Sequence, residues 1–157
     1  MFQGRFAEAE AHLRQTLKLH PNNPPARYYL ATVYTVRDMY REALSLVKEI
    51  PPSFTVPASF FGFLAGLLVQ VGEKDQAEEL LRPFASGEAP NAAPVMITFY
   101  NITGDVDQAA VWAEKGIEQR LPGIVAGLTA GVIAKPLRES SYWPRLAKLM
   151  NLPEIVG

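Results

Sequence analysis

Alanine recurs at Ala9, Ala43, Ala77 and Ala109, separated by 34, 34 and 32 residues, and each copy closes a related hexapeptide: GRFAEA, DMYREA, GEKDQA and GDVDQA. Each hexapeptide opens on Gly or Asp and places Glu or Gln just before its Ala. A linked pattern with a period in the thirties restricts the fold to supersecondary units stacked in a row, because one such unit cannot bury its own apolar face. Gly4, Asp38, Gly72 and Gly104 mark where one helix stops and the next begins. Gly suits a left-handed helix end there, and Asp a turn or N-cap. The alanine that follows falls where two helices cross, and its methyl lets the backbones approach.

Larger apolar residues, Leu13, Val47 and Leu81, stand four positions after the first three alanines, on the same face of each second helix. The first helices carry Leu30, Ala31 and Tyr34, then Leu64, Ala65 and Leu68, then Met96, Ile97 and Tyr100, again with i, i+4 partners sharing a face. Pro21, Pro57 and Pro90 fall between units, where breaks belong. Pro51 and Pro52 are expected to cut one second helix short, leaving 53–57 as an irregular connector.

These residues resemble the tetratricopeptide repeat family, with its helical hairpins of ~34 residues. The matches are Leu30, Ala31, Tyr34, Ala43 and Val47 in one unit, Phe61, Leu64, Ala65, Leu68, Ala77 and Leu81 in the next, and Ala9, Leu13 and Pro21 in a partial first unit. A further unit keeps Tyr100, Gly104 and Ala109 but has Ile97 at the small position and Ala113 at the large one. The resemblance implies an all-α fold, a right-handed α-solenoid of about three and a half hairpins. Its expected parts are a half repeat at 1–23, repeats at 24–57, 58–89 and 90–120, and C-terminal capping helices at 121–157. The tail KPLRESSYWPRLAKLMNLPE is similar to closing segments of bacterial repeat proteins with signalling or regulatory roles. Within it, Ser140 or Ser141 is expected to cap a helix, Pro144 to sit in its first turn, and Trp143, Leu146, Leu149 and Met150 to form an apolar stripe.

By the same resemblance the chain is a non-catalytic scaffold that binds a peptide or partner protein in a concave groove. The alternative is a regulatory or sensory module of a larger bacterial signalling or transcription protein. The first helices would line the groove with Tyr28, Thr32 and Thr35, then Gly62, Gly66 and Gln70, then Thr98 and Asn101. These rows are neutral, which favours an apolar or uncharged segment over a terminal carboxylate. A first unit without its first helix leaves Phe6, Leu13 and Leu17 open on one side, so self-association through that end is expected.

Composition bears on what is left. A formal net charge of −1 gives no overall field toward nucleic acid or an anionic membrane. The tail's Lys135, Arg138, Arg145 and Lys148, interleaved with Tyr142 and Trp143, are too few for firm nucleic-acid binding. There is no cysteine, hence no thiolate chemistry or disulfide. His12 and His20 have no companion ligands, so neither a metal nor a cofactor is expected. Glu73, Asp75, Glu78 and Glu79 open a helix as dipole partners rather than as a catalytic pair. No catalytic residues and no small-molecule substrate are expected. The apolar runs ASFFGFLAGLLVQV and GIVAGLTAGVIA, 14 and 12 residues long, fall short of the ~20 needed to span a bilayer and are expected as buried helices. No signal peptide is visible, and the expected location is cytoplasmic.

Overall fold

A computed structural model describes residues 2–153; Met1 and residues 154–157, the outer limits of the expected ranges, lie outside the described residues. Every regular element among the described residues is helical, and the packing of neighbouring helices within each unit is consistent with an α-solenoid of helical hairpins. The chain divides into two compact units, Met1–Val56 and Pro57–Gly157.

The first unit contains α1 (Phe2–Leu19), α2 (Pro24–Val36) and α3 (Tyr40–Lys48). Asn23 Oδ1 accepts the Ala26 amide at 2.9 Å, and prolines occupy the first helical positions, where an N–H would have no helical partner. α2 packs on both α1 and α3. Leu30, Ala31, Val33 and Tyr34 of α2 are buried, as are Ala43, Leu44 and Val47 of α3. Arg27 pairs with Glu49, and Glu10 pairs with both Arg14 and Arg37, so charges tie the rims of the three helices.

One expectation for this unit changes. Gly4 is inside α1, not at a turn; a single helical glycine costs only ~1 kcal/mol, so nothing forces the helix to stop there. Phe6, Leu13 and Leu17 are half-buried, because α1 itself packs on α2. Ala9 is only half-buried, unlike the sealed Ala43.

The second unit contains α4 (Ser59–Gln70), α5 (Lys74–Leu81), α6 (Ala92–Thr103), α7 (Val106–Glu118), α8 (Ile124–Ala130), a 3₁₀ turn at Val132–Ala134, α9 (Lys135–Arg138) and α10 (Trp143–Leu149). α4 is uncharged because it packs on both α5 and α6, burying Phe60, Phe63, Ala65, Leu67 and Leu68. Beyond α6 a core joins Ala93 and Ile97 to Ala109, Ala110 and Ala113 of α7, Ile124 and Leu128 of α8, Leu137 of α9 and Leu146 of α10.

Helices in both units end on a left-handed residue, but only some of these are glycine. Asp38 (φ 59°), Gly72 (φ 91°), Arg120 (φ 52°) and Asn151 (φ 56°) each follow a helix. At each, the next amide reaches back over the last turn: Met39 N to Tyr34 O, Glu73 N to Leu68 O, Leu121 N to Gly116 O and Leu152 N to Ala147 O, at 2.8 to 3.2 Å. This is the Schellman arrangement, which satisfies carbonyls that the helix itself leaves open. Gly104 (φ 86°) closes α6 with the simpler single bond to Tyr100 O. Asp105 then caps α7 by accepting the Gln108 amide at 3.1 Å.

The second apolar run is not one buried helix. It breaks at extended Gly131, leaving Ile124, Leu128 and Ala134 buried while Val125 and Val132 are exposed. The expected stripe on α10 loses Leu149, which is exposed; Leu146 is buried, and Trp143 and Met150 pack against the core. Ser140 does not cap α10: its Oγ donates to Leu137 O at 2.6 Å and accepts the Tyr142 amide, closing the preceding turn.

Candidate functional site

The residues expected to line a groove fall into two groups, those that reach the surface and those consumed by packing. In the first unit, Thr32 is half-buried and its hydroxyl donates to Tyr28 O at 3.0 Å. Tyr28, also half-buried, meets the adjacent Tyr29 ring edge-on at 6.1 Å between centroids. Thr35 is buried and donates to Ala31 O at 2.7 Å, so it is an internal helix residue rather than a groove residue. Both hydroxyls spend their proton one turn back on their own helix, as threonines commonly do in mid-helix.

In the second unit the correction is larger. A methyl placed on Gly62 would lie 1.9 Å from the backbone oxygen of Val95, and one on Gly66 would lie 2.8 Å from Cβ of Ile102. Gly62 and Gly66 are therefore the points where α4 meets α6, and they offer no surface. Gln70 donates through Nε2 to Ile102 O at 2.7 Å, tying the end of α4 to the end of α6. Asn101 is buried; its Nδ2 donates to Ile97 O at 2.9 Å, and its Oδ1 accepts the Leu137 amide at 3.3 Å. It secures α9 to α6 and faces no groove. Thr98 alone of this set is half-buried with its hydroxyl returned to Pro94 O, a geometry like that of Thr32.

The tail's cations are also largely committed. Arg138 donates to the carbonyls of Leu128 and Gly131 at 2.9 and 2.6 Å, Arg145 pairs with Glu114 at 2.6 Å, and Lys135 pairs with Glu139 at 3.6 Å. Tyr142 donates to Asp107 at 2.6 Å. Trp143, the other aromatic of this set, packs against the core.

The tyrosines with shifted ionisation all move toward the neutral phenol. Burial, and then the hydrogen bond to Asp38, push Tyr40 up to about 12. Burial followed by Asp105 raises Tyr100, and the bond to Asp107 raises Tyr142. A phenol held neutral is a hydrogen-bond donor, not a nucleophile. Among the described residues no cluster of three or more His, Cys, Asp or Glu could hold a metal, and no helix is long and apolar enough to cross a membrane. His12 and His20 are both exposed.

Among the described residues the repeat pattern overlooked an exposed aromatic. Tyr29 is 60% exposed, beside Tyr28 on α2. The available signal was a large aromatic at a helix position that the core spacing of Leu30, Ala31 and Tyr34 leaves outside. In the second unit Phe61, at the edge of exposure, stacks on Phe84 at 5.9 Å. Residues 3–59, which take in α1 from its second residue together with α2 and α3, match the family model described as Tetratricopeptide repeat. No curated protein matches the chain.

Proposed function

We propose, from the premise that residues 3–59 are tetratricopeptide repeat sequence, that this chain is a non-catalytic scaffold holding a protein or peptide partner on the outward face of α2. Such repeats are in general protein–protein interaction modules. The observation that carries the assignment to α2 is the Tyr28, Tyr29 and Thr32 surface. Here two aromatic rings and a hydroxyl remain accessible on a helix whose other side is fixed in the core. Tyrosine supplies large contact area with a polar tip, at the cost of few rotatable bonds. No ionised group belongs to that trio, which suits an apolar or uncharged partner segment. In the second unit Thr98 and the exposed Gln70, whose amide is tied to Ile102 O, are the remaining counterparts.

The test is capture by the immobilised intact chain, compared with Tyr29→Ala, Thr32→Glu and Thr98→Glu chains of unchanged helicity. A central aromatic anchor is worth ~2 kcal/mol, so Tyr29→Ala should weaken a specific partner about 30-fold. Thr32→Glu should weaken it comparably by burying a carboxylate. Equal capture by the parent, Tyr29→Ala and Thr32→Glu chains would remove α2 as the binding face, and a loss confined to Thr98→Glu would move the site to α6.

A further inference from the structure

We draw no further inference here: the strongest candidate, the uncharged outer face of α8, where Val125, Ala126 and Ala130 are exposed beside Val132 of the following turn, is an unpartnered apolar surface, and nothing in the structure shows what covers it.

Discussion

Gly62→Ala tests the tightest glycine contact among the described residues. In an exposed helix the change from Gly to Ala is stabilising by ~1 kcal/mol. Here the new Cβ would lie 1.9 Å from Val95 O, whereas ordinary contact begins at 3.4 Å, so α6 would have to retreat by about 1.5 Å. The obstruction is backbone, fixed within a helix, and cannot rotate away as a side chain would. Overpacking costs typically reach ~3 kcal/mol, and subtracting the propensity gain leaves a net loss of ~2 kcal/mol. At roughly 4 °C per kcal/mol, the melting midpoint should fall by about 8 °C. The control is Gly127→Ala, where nothing lies within 4 Å of the added methyl on exposed α8; that variant should gain a few tenths to ~1 kcal/mol. Urea melts of both, followed by far-UV circular dichroism, give the comparison. If Gly62→Ala proves as stabilising as Gly127→Ala, α4 and α6 do not meet there and the packing argument is wrong.

Arg120→Gly should stabilise by ~1 kcal/mol, since it removes the Cβ penalty of a left-handed helix end; a right-shifted urea midpoint with unchanged slope is the sign. Asn101→Ala should cost ~1–3 kcal/mol by leaving the buried Leu137 amide without its acceptor, and should speed exchange at Leu137 before it speeds exchange in α4. Alkaline pH should also destabilise. Tyr40 titrates at about 12 in the folded chain against 10.0 for an ordinary tyrosine, so the folded state favours the protonated phenol. Its contribution is complete below pH 10 and is lost as pH rises toward 12, and Tyr40→Phe should flatten that decline in urea midpoints.

What could be read from the chain alone follows how local each interaction is. The sealed positions Ala31, Ala43, Ala65, Ala77 and Ala109 were legible because a helix crossing leaves a periodic small residue behind, whatever lies farther away. The left-handed conformation of Arg120 was hidden, because Schellman geometry forms in the backbone and no glycine advertises it. Asn101 was misassigned for a different reason. Its spacing from Thr98 is that of a helix face, but the group that claims its oxygen is the amide of Leu137, in another element of the tail. Gly62 and Gly66 show the same ambiguity from the other side: their i, i+4 spacing places them on one row, and the spacing is identical whether that row meets water or α6. Periodicity identifies a face, and only the neighbour decides its use. That is why the surface carried forward on α2 rests on Tyr29, a large aromatic outside the core spacing whose exposure no internal partner removes.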